Sequence, residues 1–150
     1  MKTAYFSLGC FWSPQLEFEK IKGVRKAEVG YCGGDDPGTN YEKVCSGSTN
    51  HAETVKVDFD ENVVSYEELV KVFFKIHDPT QLNRQGPDIG TQYRSEIFYK
   101  DKFQKEVAEK IKREFNEKLN GKIVTNISEE KLYQTAEEYH QYYLKRKFTI

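Results

Sequence analysis

The chain has 150 residues, which is enough for one domain with a buried core that needs no disulfide bonds. Its 23 basic and 24 acidic side chains leave a formal net charge of -1, which argues against nucleic acid or an anionic membrane as a partner. Residues 1–8 lack a signal-peptide pattern and no stretch has the length and apolar character of a membrane span, so we expect a cytoplasmic protein.

The first element along the chain is a short buried strand predicted at residues 3–8. Residues 14–22 have the pattern of a helix that ends near Gly23. Cys10 therefore lies in or just before the first helical turn, where free backbone N–H groups and the helix dipole lower the pKa of a thiol. Such a cysteine is a candidate nucleophile, and the alternative is a small buried side chain without chemistry.

The middle of the first half alternates strands and loops. Residues 24–31 predict a second strand, and the glycine-rich stretch 32–38 predicts a loop. Residues 45–50 continue as a loop, and residues 54–59 alternate between apolar and polar side chains as a half-buried strand does. Glu53 therefore stands at the entrance of a strand.

The second half begins with a well-marked helix. Ser65 and Glu68 form a capping box, and the helix they begin ends at Asp78-Pro79. Residues 80–93 are polar and without periodicity, which is typical of a site-forming loop. The remaining elements predicted by periodicity are a strand at 95–99, a helix at 101–120, a strand at 122–127 and a helix at 132–144.

This order of elements predicts an α+β fold, a two-layer ferredoxin-like α/β sandwich with a split βαβ core. A helix, a strand and a helix are added at the C-terminal end. We expect residues 1–150 to form a single domain and a monomer. The candidate functional side chains fall at strand ends or in the irregular segments, and they are Cys10, Tyr41, Glu53, Asp88 and Tyr93.

The chain contains three cysteines, Cys10, Cys32 and Cys45, and this odd number without dense spacing argues against a secreted disulfide framework. Neither the cysteines nor the three histidines have the spacing of zinc ligands. We therefore expect reduced thiols, no metal and no cofactor.

Six motifs extend over nearly the whole chain: Gly9-Cys10-Phe11-Trp12, Val29-Gly30-Tyr31-x-Gly33-Gly34, Ser46-Gly47-x-x-x-His51-Ala52-Glu53, His77-Asp78-Pro79-Thr80, Gln85-Gly86-x-Asp88-x-Gly90-Thr91-Gln92-Tyr93-Arg94-Ser95 and Ala136-Glu137-x-Tyr139-His140-Gln141. In residues, order and spacing they resemble the motifs of the A-type peptide methionine sulfoxide reductases. The resemblance implies an oxidoreductase that reduces the S epimer of methionine sulfoxide, free or within proteins, and so repairs oxidised proteins.

The resemblance also implies a role for each site residue. Cys10 matches the thiolate that attacks the sulfoxide sulfur and is left as a sulfenic acid. Glu53 matches the acid, Tyr41 and Tyr93 match two phenolic donors, and Asp88 matches a carboxylate that supports the cysteine and a water. A proton donor at Glu53 requires a raised pKa, which we expect from burial beside aromatic side chains.

Phe11 and Trp12 match the hydrophobic pocket that the family uses for the substrate's methyl group and chain. Aromatic contacts on one side of a chiral sulfur and oxygen donors on the other would admit one epimer to attack. His51 is interpreted as structural, and His140 as a packed residue of the last helix.

Recycling is the point at which this chain departs from many members of the family, because no cysteine follows Cys45. Either an internal cysteine attacks the sulfenic acid and a thioredoxin-like donor reduces the disulfide, or glutaredoxin or glutathione acts directly. Cys32 is the preferred internal candidate because the glycine-rich loop would let it approach Cys10, and Cys45 is the second candidate.

Two other functions remain as alternatives. A cysteine hydrolase would use Cys10 with His51 as its base, but acyl chemistry would leave Glu53 and the two tyrosines without a role. A thiol redox sensor, or a module that binds sulfoxide-bearing peptides, would be oxidised at Cys10 without repeated turnover.

Overall fold

The computed structural model describes residues 1–148, which form eight strands, five helices and two short 3-10 turns. The strands are β1 (Lys2–Leu8), β2 (Val24–Cys32), β3 (Ala52–Phe59), β4 (Arg84–Gln85), β5 (Asp88–Ile89), β6 (Ser95–Tyr99), β7 (Asn126–Glu129) and β8 (Gln134–Thr135). The helices are α1 (Trp12–Glu19), α2 (Tyr41–Cys45), α3 (Tyr66–Lys75), α4 (Lys102–Lys118) and α5 (Tyr143–Phe148), and the 3-10 turns are Thr91–Tyr93 and Glu138–His140.

Six of the strands form one sheet in the order β7-β6-β1-β3-β2-β8. The inner four, β6, β1, β3 and β2, pair with one another in antiparallel fashion, and they are connected as the split βαβ core requires. Helix α4 connects β6 to β7, and these two strands are parallel to each other. The predicted α+β sandwich is confirmed, and β4 and β5 form a separate hairpin.

One face of the sheet carries the main core and is covered by α1, α3 and α4. Phe6 of β1 stacks on Phe18 of α1 with 5.0 Å between ring centroids, and on Phe73 of α3 with 5.5 Å. All three rings are fully buried, which contributes roughly 1.5–3 kcal/mol for each side chain. Helix α3 begins as predicted, because the Ser65 hydroxyl accepts a hydrogen bond from the backbone N–H of Glu68.

The opposite face carries a smaller cluster made of Tyr5, Cys32 and Phe98, with Tyr133 packed against it. Successive side chains of a strand point to opposite faces of the sheet. Cys32 therefore lies on the face opposite to Tyr31, which belongs to the main core. The sheet therefore separates the Cys32 thiol from the main core.

The C-terminal part differs from the prediction. The helix predicted at residues 132–144 is wrong: this segment holds β8 and a 3-10 turn, and α5 begins only at Tyr143. Leu132 and Tyr142 have left-handed φ values of 53° and 54°, which interrupt a helix. β8 pairs with Gly30 and Tyr31, and a Cβ at Gly30 would lie 2.5 Å from the Tyr133 ring. Glycine at this position lets the C-terminal segment lie against the sheet.

Two smaller differences concern the start of a strand and a short helix. The strand predicted at 122–127 begins only at Asn126. The stretch after Gly38 contains α2, which the prediction missed; the Asn40 side chain caps it by accepting a hydrogen bond from the Lys43 backbone N–H at 2.9 Å. Within residues 1–148, no helix is both long enough and apolar enough to cross a membrane.

Candidate active site

Cys10 lies in the turn between β1 and α1, as the sequence predicts. Gly9 has a φ of 98°, and a Cβ there would approach the Gln85 side chain to 2.8 Å, so the turn lies directly against the β4–β5 hairpin. The backbone N–H of Trp12, the first residue of α1, hydrogen-bonds the Cys10 sulfur. The thiol is partly exposed and stands where a helix begins.

The pKa of Cys10 is nevertheless raised, to about 12, so the expectation of a lowered pKa is wrong for the folded chain. Burial is the largest cause, and it outweighs the hydrogen bond from Trp12. The charges of Glu53, Asp88 and Cys45 raise the pKa further. The Cys10 thiol is therefore neutral at neutral pH, and the helix terminus alone does not ionise it.

Glu53 lies on β3 with 1% of its surface exposed. Its Oε1 accepts a hydrogen bond from the Phe11 backbone N–H at 3.2 Å, and its Oε2 is buried without a hydrogen-bond partner among the described residues. Burial is the main cause that raises the pKa of Glu53 to about 8, and the Asp88 charge adds to it. The carboxyl is therefore protonated at neutral pH, as expected, and Oε2 is the oxygen free to carry the proton.

We expect the substitution Glu53→Gln to stabilise the fold at neutral pH. The pKa of Glu53 is 4.5 when unperturbed and about 8 in the folded chain, so only the folded chain holds this proton between those values. As the pH rises through this window, the wild type should lose about 1.4 kcal/mol per pH unit relative to the variant. Denaturant unfolding between pH 4 and pH 8 measures the difference, with the exposed Glu114→Gln as control. A difference that does not change with pH would contradict a neutral Glu53.

Tyr41 and Tyr93 are both partly buried beside Glu53. Burial is the main cause that raises the pKa of Tyr93, to about 12, and that raises the pKa of Tyr41. The charge of Glu53 acts on both phenols, and the charge of Cys10 acts on Tyr93. Both phenols are therefore neutral O–H donors close to the carboxyl; Tyr93 is also close to the Cys10 thiol, and the Tyr41 hydroxyl hydrogen-bonds Cys45.

Asp88 belongs to β5, and its negative charge acts on Cys10, Glu53 and Tyr93. The hairpin that holds it is fixed by the amide side chain of Gln85. The Gln85 Oε1 accepts a hydrogen bond from the Asp78 backbone N–H at 2.8 Å, and its Nε2 donates to the Asp78 carbonyl at 2.9 Å. The loop predicted at residues 80–93 thus brings a carboxylate to the cysteine.

The two aromatic residues after Cys10 have different surroundings. Phe11 is 1% exposed and packs in the core, whereas Trp12 is half-buried and stacks on Tyr143 with 3.9 Å between ring centroids. The Trp12 indole N–H donates to Nδ1 of His140 at 3.0 Å, and the His140 ring lies 4.4 Å from the Tyr41 ring. Of these two residues, Trp12 is therefore the one available to contact a substrate, whereas the Phe11 ring packs against Tyr31 and His140.

Sequence reasoning missed the position of His140 and Glu137. His140 is buried in the 3-10 turn, and not in a helix, between Trp12 and Tyr41. Glu137 accepts hydrogen bonds from the Tyr31 hydroxyl at 2.7 Å and from the Tyr41 backbone N–H at 3.0 Å. The only sequence signal for both was the motif at residues 136–141, which says nothing about their partners.

The three histidines are not placed to act as a base for Cys10. His51 accepts from the Gly34 backbone N–H at 3.1 Å through Nδ1, so its Nε2 carries the proton that bonds the Asp36 carbonyl at 2.8 Å. His77 likewise bonds the Phe73 carbonyl and the Ser95 hydroxyl. Nδ1 of His140 is occupied by the Trp12 indole. A hydrolase with His51 as its base is therefore not supported.

The two remaining cysteines differ in their surroundings. Cys32 is fully buried at the end of β2, and its thiol hydrogen-bonds the Lys131 carbonyl at 3.5 Å. The expectation that Cys32 lies in a flexible loop is wrong. Cys45 is exposed at the end of α2, hydrogen-bonds the Tyr41 side chain and acts on Cys10 by its charge. Among residues 1–148, no group of three or more His, Cys, Asp or Glu side chains could hold a metal ion.

A thiol beside a protonated carboxyl and two phenols is an arrangement typical of thiol-dependent enzymes that protonate an oxygen as charge develops on it. A model of the family described as peptide methionine sulfoxide reductase matches residues 2–149. The chain belongs to this family, and it is an oxidoreductase that reduces methionine sulfoxide with recycling by thiols.

Relatives support this assignment along the whole chain. The methionine sulfoxide reductase MsrA of Pelagibacter ubique is 56% identical over 147 residues, which cover 98% of this chain and 100% of that protein. That of Nautilia profundicola is 54% identical, covering 97% and 84%. The solved structure of reduced Mxr1 from Saccharomyces cerevisiae has a TM-score of 0.94 and 37% identity, covering 99% of this chain and 87% of Mxr1.

Two further solved structures are similar. Methionine sulfoxide reductase A of Corynebacterium diphtheriae has a TM-score of 0.91 and 37% identity, covering 97% of this chain and 74% of that protein. Mxr1 in complex with Trx2 has a TM-score of 0.69 and 27% identity, covering 93% and 83%.

Proposed function

We propose that the chain reduces the S epimer of methionine sulfoxide, free and within proteins, by attack of the Cys10 sulfur on the sulfoxide sulfur. The observation that carries this mechanism is the buried carboxyl of Glu53. Its Oε2 lacks a hydrogen-bond partner among the described residues, and its pKa of about 8 leaves it protonated at neutral pH. A buried proton donor without a partner beside a thiol suits a substrate oxygen that accumulates negative charge.

The proposed step balances without an added proton. The Cys10 thiol gives up its proton, its sulfur bonds to the sulfoxide sulfur, and Glu53 protonates the sulfoxide oxygen. The protonated oxygen then leaves the methionine sulfur for the Cys10 sulfur as the bond between the two sulfurs breaks, so that a sulfenic acid remains on Cys10 and methionine leaves. Glu53 regains a proton equivalent to the one that the thiol released, so a thiol and a sulfoxide become a sulfenic acid and a thioether.

The neighbouring groups support this step. The phenols of Tyr41 and Tyr93 remain neutral because burial raises the pKa of each, so both can donate hydrogen bonds to the sulfoxide oxygen. The charge of Asp88 raises the pKa of Glu53 and so helps to keep the acid protonated. Trp12 provides an aromatic surface for the methyl group. A sulfur held between this surface and the oxygen donors would present one epimer to Cys10.

For recycling, we propose Cys45 as the internal partner in place of Cys32. Cys45 is exposed, lies at the end of a helix of five residues and interacts electrostatically with Cys10. Cys32 lies on the opposite face of the sheet from Glu53, because its cross-strand partner is Ala52 whereas that of Tyr31 is Glu53. Attack of the Cys45 sulfur on the sulfenic acid forms a disulfide and releases water.

A thioredoxin-like dithiol then reduces this disulfide, as the complex of the relative Mxr1 with Trx2 suggests. Glutaredoxin or glutathione is the alternative reductant if no internal disulfide forms. Either route requires a compartment that keeps thiols reduced, and we propose that a monomer works in the cytoplasm.

A single-turnover experiment tests the proposed function. The reduced enzyme, freed of reductant and mixed with an excess of sulfoxide, should release one equivalent of methionine per chain from the S epimer and none from the R epimer. Cys10→Ser should release none, while Cys32→Ser should release the same amount as the wild type. Methionine release by Cys10→Ser would overturn the proposal, and oxidation of Cys10 by peroxide without any methionine release would indicate a redox sensor.

A further inference from the structure

A cavity of about 220 Å³ opens beside Cys10. Its walls include apolar side chains from three segments, namely Leu8 at the end of β1, Pro14 of α1 and Ile76 after α3. Of the side chains assigned to sulfoxide reduction, only Cys10 and Asp88 line the cavity. Glu53, the two tyrosines, Phe11 and Trp12 do not. The cavity therefore adjoins Cys10 through walls to which Glu53 and the two tyrosines do not contribute.

The direction of attack on sulfur gives the cavity beside Cys10 a role. A thiolate that displaces a group from sulfur approaches opposite to the bond that breaks. In the proposed mechanism the departing group on Cys10 is the Cys45 sulfur, or the sulfenic oxygen if no disulfide forms. Cys45 hydrogen-bonds the Tyr41 side chain, and neither of these residues lines the cavity. The cavity is therefore a space beside Cys10 through which a thiolate could approach from a side other than that of Cys45.

The charges around the cavity are mainly negative. Glu17 and Asp88 contribute carboxylates, and Lys20 lies 3.4 Å from the Glu17 Oε1, which weakens that charge. His77, the other titratable side chain in the wall besides Cys10, is neutral at neutral pH because burial lowers its pKa to about 4. A thiolate that carries further carboxylates would be repelled here, whereas a neutral or cationic carrier would not.

We propose that this cavity is the entry side for the reductant, and that Glu17 selects against anionic thiols in favour of a dithiol on a neutral or basic protein surface. This inference rests on the proposed function. The reductant thiolate bonds to the Cys10 sulfur, the bond from Cys10 to Cys45 breaks, and the Cys45 sulfur takes the electron pair and a proton. The second thiol of the reductant then displaces Cys10 as a thiolate, and the reductant leaves as a disulfide.

Three thiols of different charge test the selectivity. Recycling of the oxidised enzyme would be measured with glutathione, which is anionic, with 2-mercaptoethanol, which is neutral, and with cysteamine, which is cationic. We expect Glu17→Lys to raise the rate constant for glutathione and to lower that for cysteamine, each by about two- to fivefold, and to leave that for 2-mercaptoethanol unchanged. Glu17→Gln should give smaller changes of the same sign.

The matched control is Glu19→Lys, which makes the same charge change at an exposed position of the same helix that does not line the cavity. Methionine release in a single turnover should be unchanged in all three variants, which separates recycling from sulfoxide reduction. The proposal is overturned if Glu19→Lys shifts the rate constants for glutathione and cysteamine as Glu17→Lys does, or if Glu17→Lys shifts neither of them.

A second variant fills the cavity itself. Ser13 lines the cavity and is exposed in the first turn of α1, so Ser13→Phe would add a ring at its mouth. We expect recycling by thioredoxin to fall at least about tenfold while single-turnover methionine release is retained. Unimpaired recycling would exclude entry through the cavity. Loss of methionine release instead would mean that the sulfoxide itself uses this space, which also overturns the proposal.

Discussion

Replacing Glu53 with glutamine is expected to slow methionine release in a single turnover by about 10²- to 10⁴-fold at neutral pH, the range of a lost general acid. Glutamine has nearly the same shape, and its oxygen can still accept the hydrogen bond from the Phe11 backbone. Its amide can donate a hydrogen bond to the sulfoxide oxygen but cannot transfer a proton. Sulfoxide affinity should therefore change little while the chemical step slows.

The pH profile of the single-turnover rate divided by the sulfoxide dissociation constant distinguishes this role from a structural one. In the wild type, the thiolate fraction of Cys10 rises tenfold per pH unit up to about 12, and the acid form of Glu53 falls tenfold per unit above about 8. The profile should rise to pH 8 and then level. In Glu53→Gln it should keep rising above pH 8, because only the thiol titrates. A variant that levels at the same pH as the wild type would remove Glu53 from the acid role.

The second large effect is expected at Cys45. After one equivalent of methionine sulfoxide, the wild type and Cys32→Ser should each lose two free thiols, whereas Cys45→Ser should lose one and retain a sulfenic acid that dimedone can trap. Steady-state turnover with thioredoxin should fall at least about tenfold in Cys45→Ser, because the attack of a neighbouring thiol is replaced by an encounter in solution. Thiol counting and mass spectrometry measure both quantities.

The pair of cysteine variants is matched, because each removes one thiol and leaves Cys10 in place. Cys32→Ser introduces a hydroxyl into the cluster of Tyr5 and Phe98 and so has a cost in stability, but the sheet separates it from the reacting sulfur. Loss of two thiols in Cys45→Ser, together with loss of only one in Cys32→Ser, would show that the sheet opens during recycling and would reverse the assignment.

Contacts between distant segments account for the errors in the prediction. The left-handed φ at Leu132 and the absence of a side chain at Gly30 together let the C-terminal segment pair with β2. Apolar spacing in that segment predicted a helix instead, because periodicity does not record a partner strand. His140 joined the site for the same reason: its contacts with Trp12 and Tyr41 span some of the largest sequence separations in the molecule.

The amino-acid sequence alone determined the features that depend on neighbouring residues: the capping box at Ser65, the inner strands, the α+β order and the position of Cys10 at a helix start. The tertiary structure alone decided how much water each group loses. Burial keeps Glu53 protonated, and it raises the pKa of the Cys10 thiol although the helix terminus would lower it. Cys32 is buried on the opposite face of the sheet. Burial depends on side chains supplied by distant segments, and a pattern read along the chain does not contain them.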